Sequence, residues 1–226
     1  LSGERLGGDG DEILSVNDIA HLAEEIKSIH DAGAEVGVVL GAGNIIRGSE
    51  AAQAGFEEAQ AHYMGMLGTV INALAMQSAL EQKGVYTRVM SAIEMQSVAE
   101  PYIRRRAIRH MEKKRVVIFA GGTGNPFFTT DTAGALRAVE IGADLLVKAT
   151  KVDGIYTADP KKDPNAKHLS EITYQDILVD DLKVMDGAAI ALCKEHRLPL
   201  MVCDSSEKGG FKKAIKGEVK RTLVTG

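Results

Sequence analysis

The sequence predicts an α/β fold, a three-layer sandwich in which a mostly parallel sheet is covered by helices on both faces. Two features of the chain lead to this prediction. Short apolar runs rich in β-branched residues alternate with longer segments whose apolar residues recur at helical spacing. Three turns that follow such runs carry glycine or polar residues, and ligands gather at these strand ends in parallel sheets. With 226 residues, the chain is expected to form one domain.

In the first half of the chain, helices and strands alternate. Ser15 followed by Asp18 is typical of a helix start, and apolar residues keep helical spacing from there until Gly33. A long helix is expected to begin near residue 51 or residue 62 and to end near Gly84. The predicted strands of this half are residues 36–40, 85–90 and 115–120.

A basic helix is predicted at residues 102–113, and it is followed by one more lysine. The basic residues of this segment are Arg104, Arg105, Arg106, Arg109, Lys113 and Lys114. A solvated helix face, an oligomer contact and an anionic effector site all fit such a cluster.

The same alternation continues in the second half. The predicted helices are residues 131–141, 172–182, 186–196 and 211–215. The predicted strands are residues 144–149, 198–203 and 222–224, the last of which is expected to close the sheet.

Composition excludes several classes of protein. The chain is 45% apolar and 26% charged, as in a soluble globular protein, and its net charge of -4 provides no basic field for nucleic acid. No apolar run is long enough for a membrane span and no signal-peptide pattern opens the chain, so a cytoplasmic protein is expected. Cys193 and Cys203 lack metal-ligand spacing and are expected to be buried. Neither a zinc-hydrolase motif nor Gly-x-Ser-x-Gly is present.

The most informative segment is the run Gly-Thr-Gly-Asn-Pro-Phe-Phe-Thr-Thr-Asp at residues 122–131. It follows a predicted strand and opens a predicted helix, with Asp131 at or near the N-cap. The free amides and the dipole of a helix N-terminus favour an anion, whereas the carboxylate of Asp131 repels one unless a cation intervenes. The segment is therefore either a phosphate site with a nearby cation or an ordinary turn between a strand and a helix.

Two further segments contain groups that bind nucleotides. The first, Gly41-Ala42-Gly43, lacks the third glycine of a dinucleotide site and the lysine of a P-loop, but Arg47 is able to grip phosphate oxygens or to lie on the surface. The second, residues 148–160, offers Lys148 for phosphate, Tyr156 for a base and Asp159 for a ribose, and by itself is also consistent with a charged loop. Asp186 is expected to cap the following helix.

In their order along the chain, these motifs closely resemble those of the bacterial uridylate (UMP) kinases of the amino acid kinase superfamily. The resemblance covers essentially the whole chain. It is carried by Leu-Ser-Gly-Glu at 1–4, Gly-Asn-Ile-Ile-Arg-Gly at 43–48, Met-Gly-Met-Leu at 64–67, Met-Ser-Ala-Ile at 90–93, and the segments 122–130, 148–160 and 184–186.

The resemblance implies the amino acid kinase fold, with an acceptor-binding part at about residues 1–145 and an ATP-binding part at about 146–226. It implies transfer of the γ-phosphoryl group of ATP to UMP with Mg2+, within pyrimidine nucleotide biosynthesis. It further implies a cytoplasmic homohexamer, inhibited by UTP and activated by GTP.

Matching positions assign roles to individual residues. The residues expected to bind UMP are Ala42, His62, Thr123, Gly124, Asn125, Pro126, Phe127, Phe128, Thr129 and Thr130. Those expected to bind ATP are Leu1, Ser2, Gly3, Gly43, Arg47, Thr150, Tyr156 and Asp159. The catalytic candidates are Arg47 and Lys148, which stabilise the charge on the moving group, and Asp131 and Asp186, which orient cationic groups or magnesium. We expect the threonine-rich segment and the segment that begins at Lys148 to face each other.

The chain departs from the family pattern at four places. The family has a lysine directly before Leu-Ser-Gly, at a position that precedes Leu1, so the full catalytic set is not read from this sequence. His62 stands where the family has an aspartate that contacts UMP, and Ala42 stands where it has a glycine. Residues 7–14 lack the Gly-Phe-Gly-Ile motif that the family has near the effector site. The alternatives left open are a carbamate, acetylglutamate or aspartate kinase, a nucleotide-binding regulator without catalysis, and a dehydrogenase.

Overall fold

The computed structural model describes residues 1–8, 12–46, 55–158, 160 and 162–226. The chain divides into two compact units, Leu1–Ala133 and Gly134–Gly226. Helices alternate with strands in both, which confirms the predicted α/β class. Helix α4 (Thr130–Ile141) begins in the first unit and ends in the second.

The first unit contains a parallel four-stranded sheet. Its strands lie in the order β1-β4-β2-β3, and the fully buried strand β4 is one of the two central strands. Val38 and Val89 both lie opposite Ile118 of that strand. The strands are β1 (Gly37–Val39), β2 (Thr87–Ser91), β3 (Glu100–Pro101) and β4 (Val116–Ala120). Among the residues that the structure describes in this unit, the helices are α1 (Val16–Asp31), α2 (Glu58–Gln82) and α3 (Arg104–Glu112), preceded by a 3₁₀ turn at Gly3–Arg5.

Local signals explain where the first two helices lie. The hydroxyl of Ser15 accepts a hydrogen bond from the Asp18 amide at 3.3 Å, so the predicted start of α1 is confirmed. Helix α1 packs on α2, which in turn packs on β2 and β4. Helix α2 ends just before Gly84, whose φ of 80° suits glycine.

The second unit has a mixed sheet in the order β5-β9-β10-β8. Strand β10 runs antiparallel to β9 and parallel to β8, so the sheet is not entirely parallel. The strands are β5 (Leu146–Thr150), β8 (Glu171–Thr173), β9 (Leu200–Asp204) and β10 (Thr222–Thr225), and the separate hairpin is β6 (Ile155–Tyr156) with β7 (His168–Leu169). The helices are α5 (Tyr174–Val179), α6 (Gly187–Glu195) and α7 (Gly210–Lys216).

The helix predicted at residues 172–182 is wrong at both ends. Residues 172 and 173 belong to β8, because Thr173 and Asp176 form a capping box that makes Tyr174 the first helical residue. The helix stops at Val179, and Asp181 adopts a left-handed φ of 49°. Tyr174 is fully buried, and its hydroxyl donates to the carbonyl oxygen of Leu198 at 2.6 Å.

The structure also describes the two cysteines. Cys193 and Cys203 are both buried, as expected. Of the helices that the structure describes, none combines the length and apolar character required to cross a membrane.

Candidate functional site

Two of the predicted ligand-binding turns lie at the same edge of the first sheet. We call residues 41–46 the Gly41 turn and residues 121–130 the Thr-rich loop. The Gly41 turn follows β1 and the Thr-rich loop follows β4, and these strands are parallel neighbours. Their carboxyl ends therefore lie side by side, which confirms the expected placement of both turns.

The first three residues of the chain lie along the Gly41 turn. The Gly41 amide donates to the carbonyl oxygen of Leu1 at 3.0 Å. A Cβ atom built on Gly3 would lie 2.6 Å from the Gly43 nitrogen and 2.7 Å from the Gly41 oxygen, so this position admits only glycine. The structure thus places Leu1, Gly3 and Gly43, three of the residues expected to bind ATP, next to one another.

The Gly41 turn presents three consecutive backbone N–H groups. Among the described residues, no acceptor is found for the amides of Ala42, Gly43 and Asn44. The Ala42 carbonyl oxygen closes the turn by accepting from Ile45 and Ile46, each at 2.9 Å. Successive free amides of this kind form a concave site for an anion.

The extra methyl group of Ala42 has a specific neighbour. Ala42 is buried, and a Cβ atom built on Gly68 of α2 would lie 2.8 Å from the Cβ of Ala42. The methyl group thus occupies space that Gly68 leaves beside the turn. Helix α2 therefore accommodates the alanine that replaces the glycine of the family pattern.

The Thr-rich loop lies directly on the end of β2. Gly121 and Gly124 have φ values of 75° and 84°, which favour glycine. A Cβ atom on Gly121 would lie 3.1 Å from the Ile93 nitrogen, and one on Gly124 would lie 3.3 Å from the Ala92 Cβ. The Ala92 amide also donates to the Ala120 carbonyl oxygen at 3.0 Å.

Threonine hydroxyls shape the loop and begin the next helix. The Thr123 hydroxyl accepts from the Asn125 amide at 3.2 Å and donates to the Asn125 carbonyl oxygen. The Thr129 hydroxyl accepts from the amides of Asp131 and Thr132, at 3.1 and 3.3 Å. Thr129 is therefore the residue that caps α4, while Asp131, which was expected at or near the cap, lies in the first turn of the helix.

Aromatic rings border the loop. The rings of His62 and Phe127 are 5.2 Å apart between centroids. Phe127 is 60% exposed and Phe128 is 51% exposed, so apolar ring surface is available for a planar base at this edge. Phe127 has a φ of 70°, a conformation that is uncommon for a residue with a side chain.

Two polar residues of α2 connect both turns to the helix, and they were missed in the sequence. Thr69 accepts a hydrogen bond from the Gly121 amide at 2.8 Å. Asn72 donates to the Gly41 carbonyl oxygen at 2.7 Å. Both side chains are buried. In the sequence, Thr69 and Asn72 stand out only as polar residues next to the apolar Val70 and Ala73. That pattern does not show which groups they bind.

In the second unit, Lys148 lies beside the segment that contains Asp186. The Lys148 Nζ donates to the Val184 carbonyl oxygen at 2.7 Å. The Asp186 Oδ1 accepts from the Ala189 amide at 3.0 Å, so Asp186 caps α6, as predicted. Lys148 therefore contacts the chain two residues before Asp186, and both charged candidates belong to the second unit.

The segment after β5 holds Thr150 and Tyr156 in place. The Thr150 hydroxyl accepts from the Val152 amide at 2.9 Å and closes a tight turn. The Tyr156 hydroxyl donates to the Asp153 Oδ1 at 2.7 Å, and this bond to a carboxylate raises the pKa of the tyrosine. The His168 ring meets the Tyr156 ring edge to face, with centroids 5.2 Å apart.

Two predicted site residues, Arg47 and Asp159, lie outside the described residues. Within the part of the chain that the structure describes, no group of three or more His, Cys, Asp or Glu side chains is arranged to hold a metal ion. The described acceptor candidates Ala42, His62 and residues 123–130 belong to the first unit, whereas Lys148, Thr150, Tyr156 and Asp186 belong to the second.

Comparison with known proteins identifies the family of the chain. Residues 1–204 match the Amino acid kinase family. UMP kinase from Ureaplasma parvum is 37% identical with a TM-score of 0.96, and the match covers 100% of this chain and 96% of that chain. UMP kinase from Bacillus anthracis is 38% identical with a TM-score of 0.95, covering 99% of this chain and 93% of that chain. This chain therefore belongs to the amino acid kinase family.

Proposed function

We propose that this chain transfers the γ-phosphoryl group of ATP to UMP, giving ADP and UDP. The observation that carries the proposal is the arrangement of the acceptor candidates. The Gly41 turn, His62 and the Thr-rich loop lie at one edge of one sheet and are connected by helix α2. The two UMP kinases, similar over nearly their whole length, support UMP as the acceptor.

On the acceptor side, the Thr-rich loop supplies the groups that a nucleoside monophosphate requires. The exposed rings of Phe127 and Phe128 provide apolar surface against the base, with His62 beside them. Hydroxyls of the loop and the positive end of the α4 dipole attract the phosphate of UMP. Residues 123–130 thus bind UMP along the loop, together with Ala42 and His62.

On the donor side, we assign roles to the Gly41 turn and, separately, to residues of the second unit. The three free amides at residues 42–44 hold phosphate oxygens, and Leu1, Ser2 and Gly3 complete that region. Lys148 and Arg47 neutralise charge on the transferring group. Thr150, Tyr156 and Asp159 bind the remainder of ATP.

In the transfer step, a phosphate oxygen of UMP forms a bond to the γ-phosphorus while the bond from that phosphorus to the β,γ-bridging oxygen of ATP breaks. ADP then leaves with the electron pair of that bond. A protein catalyses such a reaction mainly by positioning the reactants and by stabilising the charge on the transferring group. Lys148 and Arg47 stabilise the charge, and Asp131 and Asp186 orient the cationic groups.

Magnesium enters this proposal with ATP. Mg2+ in such sites is held by substrate phosphates, water and one or two carboxylates, so the described residues fit it without a three-residue cluster. Asp131 is the carboxylate best suited to this role, because it lies in the first turn of α4 next to the Thr-rich loop. When bound, Mg2+ supplies charge neutralisation on the phosphates.

Assembly and regulation belong to the same proposal: a cytoplasmic homohexamer in pyrimidine nucleotide synthesis, activated by GTP and inhibited by UTP. One surface supports self-association. Helix α2 exposes Tyr63, Leu67, Ile71 and Leu74 at helical spacing, with 36 to 48% of each residue accessible. Light scattering is expected to show a hexamer, and a monomeric protein would contradict that part of the proposal.

The proposal is tested with a coupled assay for ADP release. ATP and Mg2+ are supplied with UMP, CMP, carbamate, acetylglutamate or aspartate as acceptor, each with and without GTP and UTP. We expect turnover with UMP that exceeds turnover with every other acceptor. Preferential turnover with an acyl acceptor would identify a different kinase of the family, and nucleotide binding without turnover would identify a regulator.

A further inference from the structure

We infer that helix α2 sets the geometry of the active site through two buried positioning residues, Thr69 and Asn72. Thr69 holds the Thr-rich loop and Asn72 holds the Gly41 turn. The inference rests on the proposed function, because it assigns these two segments to UMP and to the transferring phosphates.

Thr69 fixes the first residue of the Thr-rich loop. Its hydroxyl donates to the Met66 carbonyl oxygen at 2.6 Å within the helix and accepts from the Gly121 amide at 2.8 Å. The Gly121 amide follows directly after β4, where the sheet no longer supplies a partner. The threonine hydroxyl therefore replaces a ladder hydrogen bond at the point where the loop leaves the sheet.

Asn72 fixes the Gly41 turn by a reciprocal amide pair. Its Nδ2 donates to the Gly41 carbonyl oxygen at 2.7 Å and to the Asn44 Oδ1 at 2.8 Å. The Asn44 Nδ2 returns a bond to the Asn72 Oδ1 at 3.0 Å and also donates to the Ile13 carbonyl oxygen at 2.7 Å. These hydrogen bonds fix the Gly41 carbonyl, just before the three free amides at residues 42–44, and the side chain of Asn44, the last of the three. The network therefore determines where those amides point.

The two contacts act through one rigid element. Thr69 and Asn72 are three residues apart on α2, so they lie on the same face of the helix, one turn apart. A loop held by Thr69 and a turn held by Asn72 are therefore kept in a fixed relation at the edge of the sheet. In-line transfer is sensitive to displacements of about 1 Å, which gives such positioning a catalytic consequence.

A matched control distinguishes positioning from simple stability. Thr87 is fully buried, and its hydroxyl donates to the Val85 carbonyl oxygen at 3.0 Å. Thr87→Val makes the same chemical change as Thr69→Val, but it does not remove a contact to either turn. The conservative variant Thr69→Ser retains the hydroxyl and is expected to keep the bond to Gly121.

The test measures KM for UMP, KM for ATP, kcat and the melting temperature of Thr69→Val, Thr69→Ser, Asn72→Leu and Thr87→Val. For Thr69→Val we expect KM for UMP to rise about tenfold with KM for ATP unchanged, and for Thr69→Ser a change within about twofold. For Asn72→Leu we expect KM for ATP to rise and kcat to fall about tenfold, with a smaller rise in KM for UMP because Ala42 of the same turn is assigned to UMP. For Thr87→Val we expect a lower melting temperature with unchanged kinetic constants.

Equal effects of Thr69→Val and Thr69→Ser, or a kinetic loss in Thr87→Val as large as that in Thr69→Val, would overturn the inference. If Thr69→Val does not fold, Thr69→Ala removes the hydroxyl with less steric change and is judged by the same criteria. Wild-type protein that does not phosphorylate UMP would refute the proposed function instead. Amide hydrogen exchange then decides the inference, because the Gly121 amide should exchange faster in Thr69→Val and not in Thr69→Ser or Thr87→Val.

Discussion

Ala42 and Gly68 form a complementary pair at the edge of the first sheet: the methyl group of Ala42 fills the space that Gly68 leaves on α2. A Cβ atom on Gly68 would lie 2.8 Å from the Cβ of Ala42. The pair explains how the Gly41 turn keeps its position beside the helix although Ala42 stands where the family pattern has a glycine. Because the two residues share this space, the effect of a substitution at Gly68 should depend on which residue occupies position 42.

Gly68→Ala is expected to lower the free energy of unfolding relative to Gly65→Ala by about 1–3 kcal/mol, the usual cost of overpacking. Gly65 is the matched control, because it lies on the same helix and a Cβ atom there meets nothing within 4 Å. Both variants gain the same helix propensity, so their difference isolates the contact. Urea denaturation measures it, and adding Ala42→Gly to Gly68→Ala should recover most of the loss. Equal stabilities of the two single variants would refute the pairing.

Asp131→Asn is expected to reduce kcat by about 100-fold or more, as for loss of a group that acts in the transition state. The affinity for UMP should stay within a few fold, because the amide keeps the shape of the side chain and the Thr129 cap remains. Steady-state kinetics and calorimetric titration of UMP measure these two effects. Asp144→Asn, which makes the same change at an exposed position outside the site, serves as the control. An unimpaired rate in Asp131→Asn would remove this residue from the mechanism.

Lys148→Met is expected to raise KM for ATP and to lower kcat about tenfold or more, because the charge that stabilises the moving phosphoryl group is lost. Binding of UMP should change little. Lys216→Met removes a lysine whose side chain is 56% exposed and is the matched control. Kinetics with ATP as the varied substrate measure the effect. Indistinguishable constants for the two variants would show that Lys148 has no part in the reaction.

The hydrogen bond from Tyr156 to Asp153 makes a prediction about alkaline pH. The bond to the carboxylate of Asp153 raises the pKa of Tyr156 above its ordinary value of 10.0. Its contribution to the stability of the fold is therefore complete below pH 10.0 and is lost as the pH rises through the folded-state pKa. Tyrosinate absorbance, taken as the difference between wild type and Tyr156→Phe, reports this ionisation. Asp153→Asn should move the ionisation back toward lower pH, and an unchanged titration would contradict the assignment of the shift to Asp153.

Elements with strong local signals were predictable from the sequence. Strand β4 is buried along its whole length and was predicted by its β-branched run, and α1 was predicted by the cap at Ser15. The strands β3, β6 and β7 were missed, since two residues are too few to show an alternating pattern. Strand β8 was taken as helix because the capping pair Thr173 and Asp176 was not recognised.

The candidate site was predictable where it consists of contiguous motifs and not where it depends on distant pairs. The Thr-rich loop and the Gly41 turn are continuous runs of glycine and hydroxyl residues, so the sequence indicates them directly. Thr69 and Asn72 act on partners 52 and 31 residues away, and no local spacing reveals such pairs. Helix α2 is also apolar on its exposed side, at Leu67 and Ile71 for example, so periodicity does not show which polar residues face inward.

Phosphoryl transfer to UMP is tested most directly by following a single mixture of ATP, Mg2+, UMP and the protein with 31P nuclear magnetic resonance. We expect the γ-phosphorus signal of ATP to fall toward an equilibrium level as the β-phosphorus signal of UDP and the signals of ADP appear in equal amounts. Release of inorganic phosphate without UDP, or a spectrum of ATP and UMP that does not change, would contradict the proposed function.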